Sequence, residues 1–143
     1  MIDELIWHKL EQLYLQNPEI KLPNATDRDI QDIQSSIRCM LGDFYRYFLK
    51  HHAVNKIASW SMCGADLSAS YSIVGKTLSF RGNLDIPSEY RRWYLVASDE
   101  KGDLLLMNDR RELWSLNFMN NICDANKIAE NFEQFLANHL TYS

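Results

Sequence analysis

The sequence predicts an α+β fold: a twisted, mostly antiparallel sheet of five to six strands, with N-terminal helices and a C-terminal helix packed on one face. Three observations lead there. Through His51 the apolar residues recur at three- and four-residue steps, the period of a helix with one buried face. The runs IASWSMC, ASYSIVG, KTLSFRG, RWYLVAS, DLLLMN and ELWSLN then follow one another, short, rich in aromatic and branched residues, and divided by turn residues. Helical spacing returns only in DANKIAENFEQFLANHL. Strands grouped together, rather than alternating with helices, argue for an antiparallel sheet. The 143 residues suffice for one domain, residues 1–143, with a single core.

Each element has a local reason. Ile2, Leu5, Ile6, Leu10, Leu13 and Tyr14 put one apolar face on a helix over residues 2–16. NPEIKLPNA, with two prolines and two asparagines, ends it. Thr26 is the expected N-cap of a helix over 26–39, with Asp27 and Asp29 in the first turn, where negative charge suits the helix dipole. Ile30, Ile33 and Ile37 form its buried stripe. Gly42 interrupts, and Asp43 is the expected cap of a short helix over 43–51. The strands are expected between about 57 and 117, with GKT as a tight turn and with EKGD and NDRR as hairpin connections. Gly102 can supply a positive φ there. Asp124 is the expected cap of the last helix, 124–140, whose apolar face is Ile128, Phe132, Phe135, Leu136 and Leu140. Phe44, Tyr47, Phe48, Phe132 and Phe135 are expected to be buried between helices and sheet.

Composition narrows the function. The net charge of −4 argues against direct nucleic-acid binding, which uses a clustered basic surface. No apolar run approaches the length of about 18 residues that spans a membrane. The N-terminus MIDELIWHKLEQLYL has no cationic segment of the secretory kind, so a cytoplasmic protein is expected. Cys39, Cys63 and Cys123 are odd in number and widely spaced, which fits reduced thiols rather than disulfides. The triplet NAT at Asn24–Thr26 then reads as chance.

The residues that could carry chemistry do not assemble into a reaction. Asp99, Glu100, Asp103 and Asp109 lack the alternate-position spacing of a calcium loop. Carboxylate catalysis would need a cleft and a raised pKa, neither of which a turn implies. The bland reading is a solvated hairpin whose charges discourage edge-to-edge pairing. His51 and His52 are adjacent, so on a helix they point about 100° apart, and no Cys-x-x-Cys or His-x-x-x-His spacing exists. VGKT lacks the first half of a phosphate-binding loop. No catalytic residue, metal site or cofactor is expected.

The aromatics say more. In RRWYLVAS, strand alternation puts Trp93, Leu95 and Ala97 on one face and Arg92, Tyr94, Val96 and Ser98 on the other. If helices cover one sheet face, the second keeps aromatics and arginines, the residues that anchor protein interfaces. The alternative is a second small core under a loop. The expected partner-binding surface is Trp60, Tyr90, Arg92, Trp93 and Tyr94, with Asp99, Glu100 and Asp103 steering a basic partner. The helical face of Arg46, Lys50 and His51 is the next choice.

Four stretches in order, ATDRDIQDIQSSI, LGDFYRYFLKHH, IPSEYRRWYLVASDEKGDLLLMN and KIAENFEQFL, resemble the SMI1/KNR4, or SUKH, superfamily over roughly residues 25–140. The resemblance implies an α+β domain without catalysis. Bacterial members are similar to immunity proteins that bind a cognate toxin, often a nuclease or deaminase, and fungal relatives act as regulatory scaffolds. The expectation is therefore a non-catalytic protein-binding domain of the immunity type, monomer or homodimer, with a toxin protein as partner. A regulatory scaffold is the alternative.

Overall fold

The computed structural model describes residues 2–66, 72–83, 86–119 and 122–140. Three helices come first: α1 (Ile2–Gln16), α2 (Asp27–Ile37) and α3 (Asp43–His51). α1 buries Ile6 and Leu10 and half-buries Trp7, Leu13 and Tyr14, whereas Leu5 faces outward. α2 begins on a capping box. The Thr26 hydroxyl accepts from the Asp29 N–H at 3.1 Å, and the Asp29 carboxylate accepts from the Thr26 N–H at 2.9 Å. It ends at Arg38, in the left-handed region at φ 57°. The N-cap of α3 is Gly42, not Asp43, which occupies the first turn. The Arg111 side chain crosses this point: a Cβ on residue 42 would lie 2.9 Å from Arg111 Cδ, so a larger residue here would have to displace that side chain.

The sheet is an antiparallel meander in the order β1 (Lys56–Ile57), β2 (Trp60–Met62), β3 (Tyr94–Ser98), β4 (Leu104–Met107), β5 (Leu113–Met119) and β6 (Ile122–Ala129). The expected α+β class is thus observed. EKGD and NDRR are the β3–β4 and β4–β5 connections, and Gly102 adopts φ 90°. One face carries Tyr94, Met107, Leu113 and Ala129, which follow one another across the ladder. Helices close this face. Tyr45 of α3 lies 6.1 Å from Tyr94, and Phe132 of α5 (Phe132–Leu140) meets Tyr45 and Phe48 edge-on at 4.9 and 5.0 Å. Phe48, Phe132 and Phe135 are buried as expected. Phe44 is only half-buried, and Tyr47 is 45% exposed, because it lies on the outer flank of α3 beside Trp7 and His51.

Two segments differ from the sequence expectation. ASYSIVG and KTLSFRG are not strands: residues 69–71 lie outside the described residues, and Ile73–Arg81 is a helix, α4. The expected GKT turn lies inside it. Ser72 caps the helix by accepting from the Gly75 N–H, and Ile73, Thr77 and Phe80 are its buried positions. The chain of β2 follows β3 only through Ala97 and Ser98 and as far as the Val96 carbonyl, which accepts from the Cys63 N–H at 2.9 Å. Beyond that point β3 presents an open edge, and α4 covers it. The second difference is at the C-terminus. Asp124 is not a helix cap, since residues 122–129 form β6 against β5. The helix starts eight residues later than Asp124, at Phe132, with the Asn131 carboxamide accepting from the Gln134 N–H at 2.8 Å.

Candidate protein-binding surface

The second sheet face carries Leu95, Leu106 and Trp114 in one row and Ser98, Leu104, Leu116 and Ala125 in the next. A bulge between Leu95 and Ala97 alters the simple alternation of β3, so Leu95 and Ala97 point to opposite faces. This face is not left open. The chain from Ile86 to Trp93, including a 3₁₀ turn at Ser88–Tyr90, lies along it. Arg91 anchors that segment by donating to the carbonyls of Arg81 and Ile86 at 2.9 and 3.3 Å. Tyr90 meets Trp93 edge-on at 4.7 Å, and Trp93 meets Trp114 at 5.8 Å. A second small core under a loop is the outcome, with its outer rings half-exposed.

One end of this aromatic row is braced electrostatically. Glu112 accepts from Asn108 and from the Trp114 indole N–H, and pairs with Lys127 at 2.8 Å. The Lys127 and Asn108 hydrogen bonds, first and second in importance, pull the Glu112 carboxyl down to about 2. Lys127 also pairs with Glu130 at 2.8 Å, and both carboxylates raise its pKa. At the other end, burial raises the Tyr90 phenol, and Glu89 and Cys123 add to it. The Cys123 thiol is raised by burial, then by Glu89 and Asp124. Cys39, Cys63 and Cys123 are all free thiols.

The sequence-selected residues therefore divide. Tyr90 and Trp93 stand together, half-exposed, with Arg92 exposed between them. Trp114, which the sequence did not single out as a contact residue, completes their row. Register puts it there: Trp114 pairs with Leu106, and Leu106 with Leu95, on the face opposite Tyr94. Tyr94 does not share that surface. It is 2% exposed and points into the helix-covered core, where its hydroxyl donates to Met107 Sδ at 2.8 Å. Trp60, 7% exposed, shares the inward face of β2 with Met62. Neither ring can be offered to a partner without unfolding the core.

The acidic residues lie at the opposite end of β3 from Trp93, roughly 20 Å away at about 3.3 Å per strand residue. Asp99 Oδ1 accepts from the N–H groups of Lys101 and Asp103 at 3.0 and 2.8 Å. Its carboxylate shapes the hairpin. Asp103 accepts from the Asn117 amide, and Glu100 is exposed. Only Glu100 keeps its charge clear of the hairpin's own bonds.

The alternative helical face is a groove of ≈ 790 Å³ between α2 and α3, lined by Arg28, Tyr47 and His51 among others. Its cations are partly neutralised within the groove, Arg46 by Asp43 and Lys50 by Asp27 at 2.5 Å. Among the described residues, no cluster of three or more His, Cys, Asp or Glu could hold a metal ion. No helix among them is long and apolar enough to cross a membrane.

The family model described as SMI1 / KNR4 family (SUKH-1) matches residues 24–138. No curated protein matches the chain.

Proposed function

The chain belongs to the SMI1/KNR4 family (SUKH-1), and from that membership we propose that it is a non-catalytic immunity-type domain that binds and neutralises a cognate bacterial toxin. The toxin class that fits is a nuclease or deaminase, and for a toxin that cleaves nucleic acid the site must itself be basic to hold phosphates. The observation that carries this reading is the row Tyr90–Trp93–Trp114. Rigid, half-exposed aromatic rings supply contact area at little loss of side-chain freedom, and such residues dominate binding energy at protein interfaces. The Glu112–Lys127 pair and the Trp114 indole bond hold one end of the row in place before any partner arrives. The acidic hairpin, with Glu100 outward, lies at the far end of the same strand and adds long-range steering toward a positive surface.

The test is survival. The chain is co-expressed with the variable toxin domain encoded directly beside its gene, and growth is followed. Rescue by the natural chain, lost when Trp93 and Trp114 are both replaced by Ala, is the expected result. Rescue that is unchanged in the double variant would move the site elsewhere. No rescue and no complex would end the immunity reading and leave a regulatory scaffold.

A further inference from the structure

The outward stripe of α1 has a pattern of its own. Leu5, His8, Gln12 and Leu15 follow at steps of three, four and three, which is the seam spacing of a coiled coil. They lie on the solvent side of the helix, turned away from the buried stripe of Ile6, Leu10 and Leu13. Leu5 is 55% and Leu15 71% exposed, while His8 and Gln12 between them are exposed and joined by a 3.3 Å hydrogen bond. Glu4 and Glu11 flank the seam on one side, Lys9 and Gln16 on the other. Among the ion pairs seen between described side chains, such as those of Arg46, Lys50 and Lys127, none involves Glu4 or Lys9. The helix also lies wholly before residue 24, where the family match begins.

We propose that α1 is a self-recognition helix: two copies of this chain pair in parallel along Leu5, His8, Gln12 and Leu15, related by a two-fold axis. The flanking charges choose the second copy and its direction. In a parallel pair each Glu4 faces the Lys9 of the other copy, twice by symmetry, and Glu11 faces Gln16. In an antiparallel pair Glu4 would instead face Glu11. Leu5 and Leu15 close the two ends, and the polar middle layers fix the register, as buried polar seam residues do. The helix is already ordered by its inner face, so pairing does not have to nucleate it. Its length of about 22 Å, at 1.5 Å per residue, gives a seam of two heptads. That contact falls below the roughly 1,200 Å² typical of stable interfaces, so the dimer is weak and concentration-dependent. The seam leaves the Tyr90–Trp93–Trp114 row untouched, so this pairing and toxin binding stand or fall separately.

The experiment is sedimentation equilibrium on the full chain from about 10 to 500 µM, a range chosen for a weak interface. The expected result is a monomer–dimer equilibrium that Leu15→Glu abolishes. Lys9→Glu, which places like charges at both flanks, weakens it about tenfold. Combining Glu4→Lys with Lys9→Glu restores it to the natural value. All these positions are on the outer flank of a surface helix, and circular dichroism checks that the variants remain folded. A monomer at every concentration overturns the proposal. So does a dimer that survives Leu15→Glu, or one that the charge exchange does not rescue.

Discussion

The hydroxyl of Thr77 in α4 accepts the backbone N–H of Leu95 in β3 at 3.0 Å. Arg81, one turn further on, donates to the Trp93 carbonyl at 3.2 Å. Between them they give a strand edge the hydrogen-bond partners that β2 is too short to reach. Both Thr77 and Leu95 are buried, so no water can substitute. Thr77→Val, nearly isosteric, should therefore lower stability by about 1–3 kcal/mol, the loss for an orphaned buried donor. Thr77→Ser keeps the oxygen and should lose much less. Urea unfolding of the three proteins decides it.

The β3–β4 hairpin rests on Gly102, at φ 90°, and on the Asp99 carboxylate. Gly102→Ala forces a side chain into a left-handed conformation and should lower stability by about 1–2 kcal/mol. Asp99→Ala should loosen the loop as well, whereas Glu100→Ala should leave stability unchanged. Thermal unfolding separates the structural carboxylate from the outward one.

His52 links the first helix to the third. Its ring stacks on Trp7 at 4.9 Å, and its Nδ1 meets the Tyr14 hydroxyl at 3.2 Å. Burial lowers its pKa below the ordinary 6.5; Glu11 opposes this, and His51 and Lys21 reinforce it. The folded state thus binds fewer protons here than the unfolded state does. Its contribution is complete above the unfolded value and declines as pH falls through 6.5. His52→Phe keeps a ring against Trp7 and removes the titration. Its urea midpoint should change less than that of the natural chain between about pH 7.5 and 5.5, the range in which an ordinary imidazole titrates.

The three thiols should react in a fixed order. Cys63 is buried, and that burial pushes its pKa up to about 12. Cys39 and Cys123 are half-exposed. Alkylation of the native protein, followed by mass spectrometry, should label Cys39 and Cys123 and spare Cys63 until denaturant is added.

At the proposed toxin interface, Trp93→Ala should mainly speed dissociation, by about 2 kcal/mol for an anchoring aromatic ring. Glu100→Lys should instead slow association and reduce its salt dependence, because rim charges act on encounter. Surface plasmon resonance against the toxin domain at two salt concentrations distinguishes the two effects.

Local sequence was enough wherever an element carried its own signal. The period of Ile30, Ile33 and Ile37, the Thr26 cap, and the Asp–Gly chemistry of the EKGD turn act within a few residues, and the structure has all three. Membership of the α+β class followed from the order of such signals. The rest was decided between distant segments. Ile73, Thr77 and Phe80 have helical spacing, but the surrounding aromatic and branched residues mask it, and the reason for a helix is the unpaired edge of β3. Residues 122–129 contain Asp, Asn, Ala and Lys, poor strand formers in isolation, and become a strand because β5 offers a full ladder. Tyr94 and Trp93 are neighbours in sequence, yet one is sealed beneath helices and the other joins Trp114 on the opposite sheet face. Alternation tells that they part; only the packing of α3 on one side and the Ser88–Trp93 segment on the other decides which of them a partner can reach.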